Sequence, residues 1–295
     1  MGVDVHRILG DVDRDERRNT WIPTPERLKM GRSWVMGEAC MRFGGLRRYS
    51  LKWWIALPFS LGHIYRRLSP KDPTIQGMTF WWHGELPRRP AVEVFDAAAG
   101  SDLRLLNPGR RDPSTSTTLF EVACILLGLR QVEAARVLEI GTFDGNTTLN
   151  LAANVPEDGF VVTVDLPLEG DSDLALQAEG RERNVTDRTR VGEQFQGRPE
   201  ASRIRQVFGD SATLDWGEFG GPFDVIFIDG CHSYDYVVSD TERALGVLRP
   251  GGLLLWHDYA EMESVSRAVD SFRGKLDGLC ALEGTRLAAG FKKGA

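Results

Sequence analysis

Acidic and histidine side chains follow two short apolar segments in the second half of this chain. Asp229 and His232 come after the segment FDVIFI, and His257 and Asp258 come after the segment LLLW. A histidine with an ordinary pKa of about 6.5 exchanges protons near neutral pH, and carboxylates bind cations. If the two segments are neighbouring strands of one sheet, these four residues converge on one crevice, where they suit ligand binding and proton transfer.

A glycine-containing turn precedes these residues in the chain. The run EIGTFDGNT extends from Glu139 to Thr147 and places Gly141 and Gly145 four residues apart. Glycines at such a turn let the chain change direction sharply and let a ligand approach the backbone. The run lacks the third glycine of the dinucleotide-binding pattern GxGxxG and the Gly-Lys-Ser/Thr of a phosphate-binding loop. Because Glu139 would repel a phosphate and attract an ammonium group, the turn either contacts a cationic ligand or is only a tight connection.

Two further acids stand at the ends of predicted strands. Asp165 ends the segment FVVTVD, 26 residues after Glu139, where a carboxylate can accept hydrogen bonds from ribose hydroxyls. Asp210 lies in the sequence Gly209-Asp210-Ser211, where it could accept a hydrogen bond from an adenine amino group. The alternative at each position is a helix cap, because Asp and Ser both cap helices well.

The spacing of apolar residues predicts the elements that position these side chains. It predicts strands at 136–140, 160–164, 204–208, 223–228, 253–256, 279–282 and 286–291. It predicts helices over 119–130, capped by Ser116 or Thr117, and over 147–154, 236–248 and 263–272. Strands that alternate with helices form a mostly parallel sheet covered on both faces. We therefore predict a doubly wound, Rossmann-like α/β fold with a C-terminal hairpin at one edge of the sheet.

The distribution of charge divides the chain into two parts. The 295 residues carry a net charge of −6, with +7 in residues 1–111 and −13 in residues 112–295. Six of the eight tryptophans lie in the first part, and the turn-rich stretch 107–118 is typical of a linker. We predict a basic, Trp-rich, mainly helical N-terminal extension over 1–111 and a ligand-binding domain over 112–295. The acidic domain argues against nucleic acid as a partner, because phosphate binding requires a basic face.

The cysteines and the N-terminal sequence bear on localisation. The four cysteines show no zinc-binding spacing, and a chain of this length needs no disulfides, so we expect reduced thiols and a cytoplasmic protein. The first residues lack the apolar core of a signal peptide. Residues 47–67 combine tryptophans with flanking cations, which suits contact with a membrane surface. Packing of this segment on the main domain is the favoured alternative.

Taken together, residues 115–295 resemble a class I S-adenosylmethionine-dependent methyltransferase. The motifs are E-x-G-x-x-x-G, a following Asp, G-D-S, F-I-D-G-x-H-x-Y and H-D-Y, and their order is most similar to the small-molecule O-methyltransferase branch. The resemblance implies S-adenosyl-L-methionine as the cofactor, with its ribose at Asp165 and its adenine end at Asp210 and Ser211. The implied cofactor-binding residues are Glu139, Gly141, Thr142, Phe143, Gly145, Thr147, Asp165, Gly209, Asp210, Ser211 and Asp229.

The resemblance extends to relatives of catechol O-methyltransferase and to macrolide-sugar O-methyltransferases. It implies Asp229 and His232 as the catalytic residues, with His232 as the general base three residues after the acid. It also implies Mg²⁺ or another divalent cation bound by Asp229, His257 and Asp258. This chain departs from the pattern because His257 stands where those enzymes usually have a carboxylate. Neighbouring strand residues point to opposite faces, so His257 and Asp258 can both bind the cation only where the strand has ended.

The resemblance thus predicts methyl transfer to a hydroxyl group of a small molecule or a sugar. Nitrogen and carbon acceptors stay open, and so does the need for a metal. A homo-oligomer is also open, since Trp-rich extensions in such folds cover the acceptor site or a dimer face. One alternative is a non-catalytic binding protein that acts through its N-terminal extension. A nicotinamide-dependent oxidoreductase is disfavoured by Glu139 and by the missing third glycine.

Overall fold

The computed structural model describes residues 84–107, 117–167, 174–176 and 191–294. Within these residues, eight strands form one sheet: β1 (Arg88–Arg89), β2 (Arg136–Ile140), β3 (Phe160–Asp165), β4 (Ile204–Phe208), β5 (Phe223–Ile228), β6 (Leu248–Trp256), β7 (Leu276–Leu282) and β8 (Ala288–Lys292). The helices that accompany the sheet are α1 (Ala91–Val94), α2 (Leu119–Gln131), α3 (Asn146–Asn154), α4 (Tyr234–Val247) and α5 (Glu263–Asp270).

The order of the strands confirms the doubly wound, Rossmann-like fold. The order is β1-β7-β8-β6-β5-β2-β3-β4, and all neighbours are parallel except the two pairs that include β8. The chain proceeds from β2 to β4 on one side and from β5 to β6 on the other, so the order reverses between β2 and β5. The predicted hairpin is β7 with β8, and β1 lies along its outer side. Ligands of such sheets bind beyond the carboxyl ends of the strands at the reversal.

Helices cover both faces of the sheet with apolar side chains. On one face, Ile125 of α2 and Leu151 of α3 pack in a cluster that also contains Phe95. On the other face, Val237 of α4 and Val265 of α5 belong to the cluster around Trp256. These side chains are buried, and the removal of such apolar surface from water is the main favourable contribution to folding. The close-packed layers give the polar strand ends a firm support.

Several predicted boundaries differ from the structure by a few residues, and two of these differences have a visible physical reason. Helix α2 is capped by Thr118 rather than by Ser116 or Thr117. The reason is a capping box, in which Thr118 Oγ1 accepts from the Glu121 N–H at 3.2 Å and Glu121 Oε2 accepts from the Thr118 N–H at 2.8 Å. Strand β6 begins at Leu248, ahead of the predicted start at residue 253, because residue 248 already pairs with β5 across an irregularity.

Residues 84–107 are the part of the predicted N-terminal extension that the structure describes. Strand β1 pairs with β7, and the Leu86 N–H donates to Tyr259 Oη at 2.9 Å, so this segment contacts the sheet. The rest of the extension, including residues 47–67 and the boundary at 111, lies outside the described residues. In the described part of the chain, no helix has the length and apolar character needed to span a bilayer.

Candidate active site

The turn between β2 and α3 lies against the end of β5. Gly141 has a φ of +99°, and a Cβ at this position would overlap the carbonyl group of Asp229. The Asp229 N–H donates to the Ile140 carbonyl at 2.8 Å, which extends the pairing of the two strands. Because only glycine permits this approach, Gly141 allows the two strand ends to meet where the strand order reverses.

The second glycine of the turn is covered by a later segment of the chain. Gly145 has a φ of +83° at the start of α3, and the ring of Phe195 packs directly on it. The Gly192 N–H donates to the carbonyl of Phe143 at 2.9 Å. Residues 191–198 therefore fix the outer side of the glycine turn.

Glu139 is fully buried behind the turn. Its Oε2 accepts hydrogen bonds from the hydroxyls of Thr148 at 2.5 Å and Thr163 at 2.7 Å. Burial raises the pKa of Glu139 to about 8, and the nearby carboxylates of Asp229 and Asp165 add to this rise, against the two threonine hydrogen bonds. Its Oε1 is buried with no hydrogen-bond partner among the described residues. Neither hydrogen bond that Glu139 accepts from the described residues comes from a cation.

The raised pKa of Glu139 makes the stability of the protein depend on pH. Folding favours the protonated carboxyl, so the stabilisation is complete below the ordinary pKa of 4.5 and is lost as the pH rises through about 8. We expect Glu139→Gln to remove this loss of stability at high pH. Urea unfolding between pH 5 and about pH 9 should show a smaller decline in unfolding free energy for the variant than for the wild type. The exposed Glu157→Gln is the control, and equal declines in wild type and Glu139→Gln would contradict the assignment.

Asp165 links the end of β3 to the glycine turn. Its Oδ2 accepts from the N–H groups of Thr142 at 3.0 Å and Phe143 at 2.8 Å. The Thr142 hydroxyl lies 2.7 Å from the Thr163 hydroxyl, and Thr147 is half-buried in the first turn of α3. The structure therefore brings the predicted methionine and ribose residues together around one turn.

The predicted adenine residues follow β4. Asp210 Oδ1 accepts from the Ala212 N–H at 2.9 Å, which is a cap contact, and Asp210 Oδ2 accepts from the Tyr236 hydroxyl at 2.9 Å. Ser211 is almost fully buried, and Gly209 joins β4 to this loop. The cap alternative for Asp210 therefore has a contact in the structure, while its adenine-binding role stays a prediction.

Four predicted residues form one cluster at the ends of β5 and β6. Asp229 Oδ1 lies 3.1 Å from His257 Nδ1 and 3.9 Å from His232 Nε2. Asp258 Oδ2 lies 3.0 Å from His232 Nε2, and Asp258 Oδ1 lies 3.2 Å from His257 Nδ1. The carboxylates of Asp229 and Asp258 therefore each lie close to the imidazoles of both His232 and His257.

His257 and Asp258 reach the same cluster because the strand has ended. Strand β6 stops at Trp256, and the His257 N–H donates to the Ile228 carbonyl at 3.0 Å. Asp258 has a φ of +55°, a left-handed conformation that costs a non-glycine residue about 1–3 kcal/mol. This turn of the backbone brings the side chains of His257 and Asp258 to one side. The two residues can therefore belong to one site, which is possible only where the strand has ended.

The charges in the cluster stabilise one another. Burial would lower the pKa of His257, but the charge of Asp229 and hydrogen bonds to Asp229, Asp258 and Glu121 hold that pKa well above its usual value. Burial would raise the pKa of Asp258, but hydrogen bonds from His232 and His257 hold that pKa well below its usual value. His257 is therefore an imidazolium near neutral pH, with a proton on each ring nitrogen.

Two residues of this cluster were missed by the sequence analysis. Arg286 Nη2 lies 3.0 Å from Glu121 Oε2, and Arg286 Nη1 lies 3.3 Å from Asp258 Oδ1. His257 Nε2 lies 3.4 Å from Glu121 Oε2. The Thr118-x-x-Glu121 pattern could have located Glu121 at the start of a helix. No pattern indicates its pairing with a residue 165 positions later.

The segment that contains these strand ends matches a known family. Residues 138–259 match the family model described as "Methyltransferase domain". They form a methyltransferase domain. The match includes every residue predicted to bind cofactor or metal or to take part in catalysis, from Glu139 to Asp258. Glu121 and Arg286 lie outside it on either side.

Curated relatives of the methyltransferase domain carry O-methyltransferase names. Caffeoyl-CoA O-methyltransferase 2 of Populus trichocarpa is 27% identical over 129 residues, which are 43% of this chain and 45% of the relative. The chain thus spans less than half the length of that protein. Catechol O-methyltransferase of Mycobacterium tuberculosis is 29% identical over 168 residues, which are 54% of this chain and 67% of the relative.

One of the solved structures similar to this chain is the O-methyltransferase TomG from Streptomyces achromogenes, in complex with SAM. The similarity covers 80% of this chain and 96% of that chain, at 20% identity and a TM-score of 0.45.

Proposed function

We propose that this protein is an S-adenosylmethionine-dependent O-methyltransferase that acts on a hydroxyl group of a small molecule or a sugar. The observation that carries the proposal is the convergence of four strand ends at the reversal of strand order. The turn after β2, Asp165 after β3, Asp229 after β5 and Asp258 after β6 supply a cation-attracting pocket beside a His–Asp pair. The names of the two curated relatives support the choice of oxygen as the acceptor atom.

The residues around Glu139 fit the cofactor. S-adenosylmethionine carries an ammonium group and a sulfonium, and its binding would bring positive charge to a site with three neighbouring carboxyls, Glu139, Asp165 and Asp229. The unpartnered Oε1 of Glu139 and its raised pKa are the features expected of a pocket that lacks this charge. Asp165 would accept from the ribose hydroxyls in addition to the backbone donors it already has. When bound, the cofactor supplies an electrophilic methyl group.

The His232–Asp258 pair can activate an acceptor hydroxyl. The ionised Asp258 accepts a hydrogen bond from His232 Nε2, which fixes the orientation of the imidazole and stabilises the positive charge it gains on protonation. His232 could then accept the proton of the acceptor hydroxyl, and a bound cofactor would supply the methyl group that the oxygen receives. Asp229 lies between the glycine turn and the imidazoles, so it faces both the cofactor side and the acceptor side.

Part of the cluster also fits a divalent cation. Asp229, His232 and Asp258 offer one ligand atom each, all within 4.8 Å of one another, and these donor types suit a divalent ion. His257 lies beside this set, with Nδ1 3.1 Å from Asp229 Oδ1 and Nε2 3.4 Å from Glu121 Oε2, and its part in a metal site stays a prediction. An ion held by the other three residues would lower the pKa of an acceptor hydroxyl. A His232 nitrogen that holds an ion cannot also accept the acceptor proton.

Binding and methyl transfer test this proposal together. We expect calorimetry to show binding of S-adenosylmethionine and no binding of NADH. We also expect transfer of a labelled methyl group to members of a panel that includes catechol, caffeoyl-CoA and sugars. Turnover that persists in EDTA supports His232 as the base, and turnover that EDTA abolishes and Mg²⁺ restores assigns the cluster to the metal. The absence of cofactor binding would overturn the proposed function, and binding without transfer to any acceptor would favour a binding protein.

A further inference from the structure

Arg286 is a buried cation that the proposed chemistry does not use. It lies between β7 and β8, and only 12% of its side chain is exposed. Its guanidinium contacts three carboxylates, those of Glu121, Asp258 and Glu261. Burying a guanidinium is costly unless it is fully paired, so a residue of this kind has a specific structural or functional reason to be present.

Glu121 holds Arg286 in one orientation. Its Oε1 accepts from the Arg286 backbone N–H at 2.9 Å and from Nε at 3.1 Å, and its Oε2 accepts from Nη2 at 3.0 Å. Oε2 also accepts from the Thr118 N–H at 2.8 Å. Glu121 is itself buried, so both the backbone and the guanidinium of Arg286 are anchored to the start of α2. A two-pronged contact of this type fixes direction as well as distance.

Arg286 in turn holds the strained segment at Asp258. The Tyr259 N–H donates to the Arg286 carbonyl at 2.9 Å, and Arg286 Nη1 lies 3.3 Å from Asp258 Oδ1. Asp258 adopts its left-handed conformation between these two contacts. A conformation of this cost persists only where its surroundings determine it, and residue 286 supplies both a backbone and a side-chain constraint.

The two oxygens of Asp258 make separate contacts. Oδ1 faces the cations of Arg286 and His257, whereas Oδ2 faces His232 Nε2 at 3.0 Å. Glu121, Arg286, Asp258 and His257 form a closed ring in which negative and positive side chains alternate. In this order around the ring, the contacts measure 3.0, 3.3, 3.2 and 3.4 Å. The two cations of the ring compensate the negative charge at Asp258 Oδ1, and Oδ2 stays directed at the imidazole of His232.

We propose that Arg286 is a positioning residue for methyl transfer: held by Glu121, it fixes Asp258 so that Asp258 aligns His232. The proposal rests on the proposed function, in which His232 accepts the proton of the acceptor. Arg286 contacts Asp258 and Asp258 contacts His232, so the effect of Arg286 on His232 passes through Asp258.

The first test reads the imidazole of His232 directly and needs no turnover. In protein labelled with ¹⁵N-histidine, ring-nitrogen NMR signals of His232 are assigned by comparison with His232→Ala. We expect the wild type to show one tautomer with the proton on Nε2, and Arg286→Gln to shift these signals and lose the single-tautomer pattern. Arg286→Lys keeps the positive charge but loses the two-pronged guanidinium contact. Its His232 signals should therefore lie between those of the wild type and those of Arg286→Gln. Unchanged His232 signals in Arg286→Gln would overturn the proposal.

Arg273→Gln is the matched control. Arg273 also pairs with two carboxylates, Glu85 at 2.8 Å and Asp270 at 3.4 Å, but it is half-exposed and neither of these partners is a member of the cluster. The His232 signals should be unchanged in this variant. The affinity for S-adenosylmethionine and the thermal midpoint report whether each variant is folded, and Arg286→Lys carries the test if Arg286→Gln does not fold.

The second test uses transfer of a labelled methyl group from S-adenosylmethionine to the member of the panel of catechol, caffeoyl-CoA and sugars that the wild type methylates. We expect Arg286→Gln to lower kcat about 10- to 100-fold while the KM for S-adenosylmethionine stays within about twofold. In a His232→Ala background the same substitution should lower kcat no further, because the residue it positions is gone. An equal loss in both backgrounds would show a general structural role and overturn the proposal. If the wild type transfers no methyl group at all, the proposed function fails, while the NMR result still decides the role of Arg286.

Discussion

Replacing His232 with alanine is expected to lower kcat by about 100-fold or more and to leave the Kd for S-adenosylmethionine within about twofold, the usual scale for loss of a general base. His232 contacts Asp258 and lies 3.9 Å from Asp229, on the side of the cluster where we propose that the acceptor binds. Its removal eliminates the proton acceptor but none of the residues that surround the glycine turn. Steady-state kinetics with labelled cofactor, together with calorimetry, separates the two effects.

The neighbouring Cys231→Ser variant is the control for this substitution. Cys231 lies next to His232 in the chain, and its Sγ contacts the Ser233 hydroxyl at 3.5 Å. We expect its kcat to remain close to that of the wild type. Full turnover in His232→Ala would eliminate the base assignment, whereas a parallel loss of cofactor affinity would show that His232 belongs to the cofactor site.

Replacing Asp165 with alanine should weaken cofactor binding about 10- to 100-fold, since hydrogen bonds to a charged group contribute about 1.5–3 kcal/mol each. The carboxylate is lost both as a ribose acceptor and as the anchor of the Thr142 and Phe143 N–H groups. Both losses act on the same face of the pocket. Calorimetric titration with S-adenosylmethionine measures the change in Kd.

Two further variants distinguish loss of the ribose contact from loss of the turn. Asp165→Asn retains one oxygen that can accept from the turn, so its Kd should lie between the wild-type value and that of Asp165→Ala. Asp158→Ala removes an exposed carboxylate in the turn before β3, and its Kd should not change. A wild-type Kd in Asp165→Ala would exclude Asp165 from the cofactor site.

The sheet and most of the cluster were predictable because each strand has a recognisable local sequence pattern. The segments 136–140 and 223–228 are short apolar runs followed by a turn, and the alternation with helices implies parallel pairing. Parallel strands place their carboxyl ends together, so Asp229 and Asp258 could be brought to one crevice without knowledge of any contact. The left-handed backbone at Asp258 that makes the joint site feasible has no comparable signal in the sequence.

The ring around Arg286 could not be predicted for a physical reason. Glu121 is explained locally by the Thr118 capping box, so its side chain gives no indication of a second partner. Arg286 lies in the turn of a hairpin, where a charged residue ordinarily faces solvent. Only the packing of α2 against the sheet and the course of the hairpin bring these two residues together, and that information is distributed over the whole fold.

The position of this ring bears on how much of the chain a working catalyst needs. Residues 138–259 retain the glycine turn, Asp165, His232 and Asp258, yet both members of the Glu121–Arg286 pair fall beyond these limits. A fragment cut at the family boundaries would also lose β8, which is the neighbour of β6 in the sheet. A segment that keeps both the proposed site and the Glu121–Arg286 pair therefore begins before α2 and extends past the last hairpin, so recombination between relatives should exchange these outer pieces together.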